Sequence, residues 1–289
     1  MITNDPNPAP STRPLSQADW KAVVTQFQKP SPWRATWQIV NSIGGYAALW
    51  ILMYFSLSVS WWLTIPLAVL GGGLLVRIFI IFHDCGHGSF FKSGRANDFW
   101  GFVTGLLTFT PYFQWRWEHA RHHATTGNLD RRGVGDIWTL TVEEYLQASR
   151  WKRFSYGLAR NPIVLFVIAP LFIFVVRQRF PFPVAKRREQ ISVWVMNLCL
   201  VAMALGLIAI FGWFPWLIIQ SVVLGVAASA GVWLFYVQHQ FERTQWETEG
   251  NWQLHESALH GSSHYVLPSV LQWVSANIGI HHVHHLYSR

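Results

Sequence analysis

Eight histidines fall into three tight groups: His83-Asp-Cys-Gly-His87, His119-Ala-Arg-His122-His123 and His281-His-Val-His284-His285. Imidazole is neutral near pH 7 and ligates iron, zinc or copper. His83 and His87 are four residues apart, so on a helix they share a face. His119, His122 and His123 stand at i, i+3 and i+4, again one face, and His281, His284 and His285 repeat that spacing with His282 pointing elsewhere. A lone HxxxH often arises by chance, but two HxxHH groups and one HxxxH, each beside an apolar stretch, do not. One metal ion cannot use eight imidazoles; two can. A hydrolytic zinc site needs only three protein ligands and an open position. Oxygen activation at two irons fits better, as an imidazole-rich counterpart of the carboxylate sites in soluble di-iron bundles.

The elements that must position these ligands are membrane helices. Only 12% of the 289 residues are charged, about half the share of a soluble domain, and the mean hydropathy is +0.22. Ala35 to Val76 (42 residues) and Gln190 to Phe241 (52 residues) contain no Asp, Glu, Lys or Arg. A span needs about 20 apolar residues, so each stretch holds two. Paired tryptophans suit the membrane interface. Trp61-Trp62 and Gly212-Trp213-Phe214-Pro215-Trp216 therefore divide the stretches into helices at about 35–58, 62–82, 191–212 and 215–238. Arg77, near the inner end of the second, is expected to snorkel to the headgroups. The expected fold is all-α: four transmembrane helices, interfacial or re-entrant helices, and a histidine-rich di-iron cap on the cytoplasmic side.

Two further apolar segments, Phe99 to Phe113 and Ile163 to Val176, have 15 and 14 residues. They reach only roughly 20 Å against about 30 Å of hydrocarbon, so they are expected to be interfacial or re-entrant. Parity agrees. Residues 150–190 carry nine Lys or Arg and one acid, Glu189, an excess that marks the cytoplasmic side. If 163–176 does not cross, all three histidine groups and this basic loop share one side, as a common metal site requires. The net charge of +8 thus reads as loop charge, not as a nucleic-acid surface. Residues 1–18, with four prolines, are expected to be a disordered tail, residues 16–29 a short surface helix, and 19–289 a single membrane domain. Cys85 and Cys199 lie far apart and suggest no disulfide.

His239 follows the fourth expected span at the same membrane depth, which makes it the candidate ninth ligand. His255, His260 and His264 are scattered through a polar segment and read as ordinary histidines. Metal-bound imidazoles commonly donate their other N–H to a carboxylate. Asp84, Asp130 and Asp136 are the candidates for that role.

HDCGHGSFF (83–91), HARHH (119–123) and HHVHHL (281–286), in this order and with a long membrane-containing insert before the third, resemble the membrane fatty acid desaturases. The likeness covers about residues 35–289 and is nearest the bacterial and plastid acyl-lipid group of Δ12, ω6 or ω3 type. It implies two irons held by His83, His87, His119, His122, His123, His281, His284 and His285, with His239 as the extra ligand and O2 as co-substrate. Asn277 could hold a metal-bound water, as an asparagine does in related desaturases. Phe109, Tyr112, Trp115 and Trp117 could line an acyl tunnel or anchor the chain at the interface. The resemblance also implies further chain beyond Arg289, completing the cap. No flavin or haem motif is present, so electrons must come from a partner, ferredoxin before cytochrome b5. The implied activity is insertion of a cis double bond into a membrane-lipid acyl chain. A hydroxylase or ketolase of the same metal architecture, acting on carotenoids or alkanes, is the alternative. A transporter would place polar ligands at mid-membrane, not at one edge.

Overall fold

The computed structural model describes residues 22–288. The expected N-terminal tail lies outside the described residues, as do residues 16–21 of the expected surface helix; residues 22–25 form one helical turn.

Four helices are long and apolar enough to cross a membrane: α1 (Pro32–Ser56), α2 (Trp61–His87), α8 (Arg187–Phe211) and α9 (Trp213–His239). Their boundaries follow local chemistry. Ser31 caps α1 through the Arg34 N–H, with Pro32 in the first turn, where a missing N–H costs nothing. Ser60, in extended geometry, caps α2 directly before Trp61-Trp62. Gly212, at φ +80, makes the tight joint between α8 and α9. A π-helical turn, Val40–Gly44, interrupts α1 without breaking it.

Between the two pairs lie α3 (Gly94–Leu107), α4 (Tyr112–Thr125), α5 (Val142–Gln147), α6 (Arg150–Ala159) and α7 (Val164–Arg179). After α9 come α10 (Leu254–His260), α11 (Ser269–Val274) and α12 (His281–Leu286). Among the described residues no β-strand forms, only two isolated bridges, Asn128 with Glu247 and His264 with Ile280.

The core lies where α1, α2 and α9 meet, with Tyr46, Trp50, Met53, Leu75, Ile78, Ile219 and Val223 buried together. The α2–α9 approach is close enough to require glycine. A Cβ on Gly72 would stand 2.6 Å from Val226 Cβ and 3.0 Å from the Val223 carbonyl oxygen. By contrast, α8 exposes Leu198, Val201 and Leu205, a surface suited to lipid.

The two short apolar segments take different forms. Phe99–Phe113 is not one helix: α3 ends at Leu107 and α4 begins at Tyr112, with Phe109 at φ +58 in the turn. The second segment is α7, two π-helical turns around Ala169–Leu171. Pro170 at its centre lacks the N–H a regular ladder needs, and Ala169 donates five residues back to the Val164 carbonyl. Helices α6 and α7 are long and apolar enough for a span only as a pair, bent by 62°. Both ends of α7 are tied to histidine-bearing elements. Arg160 reaches Gln240, the residue after His239, and Arg177 approaches Glu118 at 4.0 Å. Gln114 of α4 bonds the Phe180 carbonyl and the Phe182 N–H.

Arg77 corrects one expectation. It does not snorkel to the headgroups but is buried at 6% exposure inside α2. Its Nε donates to Ser42 Oγ at 3.1 Å, Nη1 donates to the Trp273 carbonyl, and the guanidinium lies 4.1 Å from the Trp273 ring centroid. Internal acceptors and an aromatic face take the place of water. Arg77 thereby ties α11, just before the third histidine group, to two membrane helices.

Candidate metal centre

Nine imidazoles converge, in two separate sets. His83, His87, His119, His123 and His284 form one, and His122, His239, His281 and His285 the other; within each, the ligating atoms lie within 4.8 Å of one another. In the first, Nε2–Nε2 distances run 3.3 Å (His83–His87), 3.0 Å (His87–His119), 3.1 Å (His119–His123) and 3.1 Å (His123–His284). In the second they run 3.1 Å (His122–His239), 2.9 Å (His239–His281) and 3.1 Å (His281–His285). The sets touch where the His123 and His285 rings stack, centroids 4.1 Å apart.

The second and third groups divide by the same rule. The i, i+4 pair of each stays together (His119 with His123, His281 with His285), and the i+3 residue goes to the other set. A four-residue step turns a helix by about 40° beyond a full turn, and a three-residue step falls about 60° short, so one side chain of each trio points elsewhere. The single face expected for each trio is therefore split across two ligand sets. Helix α2 serves the first set alone and α9, through His239, the second set alone.

The donor chemistry fits metal ions. Burial, then the neighbouring imidazoles, holds His119, His123, His281, His284 and His285 below the ordinary histidine range, in the neutral form that ligates. Carboxylates fix tautomers at two positions: His83 Nδ1 lies 2.9 Å from Asp84 Oδ1, and His122 Nδ1 lies 2.8 Å from Asp136 Oδ1. A carboxylate accepts, so each Nδ1 carries the proton and each Nε2 presents a lone pair to its set. Inward-facing lone pairs repel unless a cation sits between them.

Asp136 is brought in by a loop that sequence reasoning did not single out. Gly135, at φ +77, passes so close to α4 that a Cβ there would meet His122 Cβ at 3.1 Å and the Glu118 carbonyl oxygen at 3.3 Å. The only sequence signal is two glycines, Gly133 and Gly135, just before an aspartate. Asp130 does not approach a histidine. It accepts the Glu249 N–H at 2.8 Å and helps lock the 128–131 turn to the segment after α9. Asn277 sits exposed in a left-handed turn, φ 62, with its backbone engaged to Gln272 and Ile280. His282 lies outside both sets beside His264, and His255 and His260 flank Glu256.

A largely apolar cavity of about 520 Å³ opens against the centre, lined by His83, His119, His122 and His281 together with α2, α7 and α9. Of the four aromatic tunnel candidates it meets Trp115, whose ring stacks on His119 at 4.3 Å. Tyr112 is fully buried, its hydroxyl donating to the Cys85 carbonyl at 2.8 Å. Phe109 packs on the α1–α2–α9 core, and Trp117 packs on Phe182 and Arg121. The remaining wall comes from residues with no chemical signature, such as Val164, Ile173, Ala228 and Gly231. Glu118 also faces the cavity. Burial pushes its carboxyl up to about 7 against the opposing pull of Arg177.

Known proteins are similar to this chain. The family model for fatty acid desaturases matches residues 59–289. A fatty acid desaturase of Bacillus subtilis (strain 168) is 48% identical over 263 residues, 91% of this chain and 75% of the relative. An sn-1 acyl-lipid omega-3 desaturase (ferredoxin) of Synechocystis sp. is 27% identical over 86% of this chain and 68% of its own length. An sn-1 oleoyl-lipid 12-desaturase of Anabaena variabilis is 26% identical over 81% and 67%. With four apolar spans, two histidine sets and a family match over most of its length, this chain belongs to the fatty acid desaturases, a family of membrane oxidoreductases.

Proposed function

We propose that this protein is an oxygen-dependent di-iron desaturase that inserts a cis double bond into the acyl chain of a membrane lipid. The observation that carries the reading is the division of nine imidazoles into two sets at the wall of one apolar cavity. Two irons held there would supply activation of O2. The reaction removes two hydrogens from adjacent methylenes and, with O2, two electrons and two protons, yields one double bond and two waters.

The chain's own residues bind, orient and shield. Asp84 and Asp136 hold His83 and His122 in the Nδ1–H tautomer. Phe235 packs on the rings of His122 and His239, at 5.1 and 4.9 Å, and keeps water from that side. Apolar walls from α2, α7 and α9 hold an acyl chain beside the imidazoles, and their shape selects which methylenes lie closest. We place the centre on the cytoplasmic side, with the basic 150–188 segment, and an acidic ferredoxin as the electron donor. The ferredoxin named for the Synechocystis relative supports that choice.

Expression with a ferredoxin donor in a host holding only saturated and monounsaturated lipids tests the reading. Fatty-acid profiling by mass spectrometry should reveal a new double bond. Iron-loaded protein with a working donor and no new product would overturn it.

A further inference from the structure

The cavity wall contains one cation that the desaturation reading does not use. Arg160 follows α6, lines the cavity and is half-buried, so it stands where the cavity meets the surface. Its guanidinium donates to the Gln240 side-chain oxygen at 3.0 Å, the Trp138 carbonyl at 2.8 Å and Thr139 Oγ1 at 3.2 Å. Every acceptor is neutral. Among the described residues no carboxylate comes within 4.0 Å of it, and its buried Nε finds no acceptor. A partly desolvated guanidinium held by neutral groups keeps its charge available for an anion, and its planar fork suits an oxyanion.

An independent feature places lipid headgroups at this point. Helix α6 exposes Trp151 (73%), Phe154 (59%) and Leu158 (50%), spaced three and four apart on one face, with Arg150 and Lys152 exposed beside them. An apolar stripe flanked by cations is the pattern of a helix lying in the membrane interface. The chain leaves that helix at Arg160 and enters α7, which forms the cavity wall through Val164, Leu165 and Ala169.

We propose that Arg160 recognises the phosphate of a membrane phospholipid whose acyl chain enters the cavity, so that phospholipids are preferred over uncharged glycolipids. This deepens the acyl-lipid desaturase reading and rests on it. A coenzyme A thioester offers the same oxyanion chemistry from solution, and the test separates the two sources.

Iron-loaded protein and its donor are placed in vesicles of equal parts palmitoyl-oleoyl phosphatidylglycerol and glucosyl diacylglycerol with the same chains. Product is resolved by lipid class. Lipid retained on the detergent-extracted protein is measured in parallel, which requires no turnover. Wild type should favour the phospholipid in both readouts. Arg160→Gln should lower the phospholipid-to-glycolipid ratio about ten-fold, the scale of one charge-assisted contact, and Arg160→Lys should fall between. A wild-type ratio in Arg160→Gln with iron content intact overturns the proposal. With palmitoyl-CoA added to the same vesicles as a competing substrate, an Arg160-dependent preference for the thioester that phospholipid does not share also overturns it. If wild type retains phospholipid through Arg160 but forms no product, the desaturase reading fails and the headgroup site stands.

Discussion

Each four-residue step along the second and third histidine groups keeps a ligand in its set, and each three-residue step moves one to the other. His122 and His284 are the two that cross over, so each ties its own helix to the set anchored by the other. The second set has four imidazoles and the first has five, so losing His122 leaves three donors while losing His284 leaves four. Metal analysis of purified protein should therefore show a larger loss for His122→Ala than for His284→Ala, with the double variant losing most of both ions. Metal content that survives the double substitution would refute the ligand assignment. The two carboxylates also differ. Asp136 is 6% exposed and Asp84 37%, so water can replace Asp84 more readily than Asp136. Asp136→Asn should weaken metal retention by roughly 10- to 100-fold, the usual effect of losing such a partner. Asp84→Asn should cost less, and equal losses in a chelator competition would contradict this. The ligands were legible in the sequence because a metal needs particular side chains at helical spacing. Their division into two sets was not, because it depends on how α2, α4, α9 and α12 rotate against one another. Asp136 could be proposed from its charge but not told from Asp130, since a loop folded back by Gly135 decides between them.

At the scale of elements, long uncharged stretches and paired tryptophans predict the spans to within a few residues: α1 covers Pro32–Ser56 where 35–58 is expected, and α9 covers Trp213–His239 where 215–238 is expected. What composition conceals is which face of each helix meets which. Arg77 shows this. A cation near a helix end reads as a headgroup anchor, yet here it faces inward to Ser42 and Trp273. The glycines at 71–73 show it again. Gly72 sits against Val226, whereas a Cβ on Gly73 meets nothing within 4 Å. Gly72→Ala should destabilise the α2–α9 contact by about 1–3 kcal/mol, the usual cost of overpacking. It should also lower metal content, because that contact aligns His83 and His87 with His239. Gly73→Ala should be neutral or slightly stabilising through helix propensity. Thermal unfolding of both variants in detergent decides the matter, and equal behaviour would remove Gly72 from this role.

For the molecule as a whole, the placement of α7 decides the topology. If α7 re-enters and returns, the three histidine groups, the basic loop and the cavity mouth share one side, and four spans suffice. If α6 and α7 together form a fifth span, residues before and after them lie on opposite sides. The contacts of α7 favour return, since Arg160 bonds Gln240 at one end while Arg177 and the 180–182 segment meet α4 at the other. Single cysteines in a Cys199→Ser background make this measurable, because Cys85 is buried. Ser149 and Val184 are exposed on either side of the bent pair, and Ser58 is exposed in the turn between α1 and α2. A membrane-impermeant maleimide applied to intact cells should label Ser58→Cys, while Ser149→Cys and Val184→Cys react only after the membrane is opened. Labelling of Ser149→Cys and Val184→Cys from opposite sides would make α6–α7 a span and separate the basic loop from the metal centre. Labelling of both from outside would keep the four-span fold but turn the centre away from a cytoplasmic donor. The order of labelling therefore tests the fold and the proposed electron supply together, since a soluble ferredoxin can reach the histidine sets from the cytoplasm only in the first arrangement.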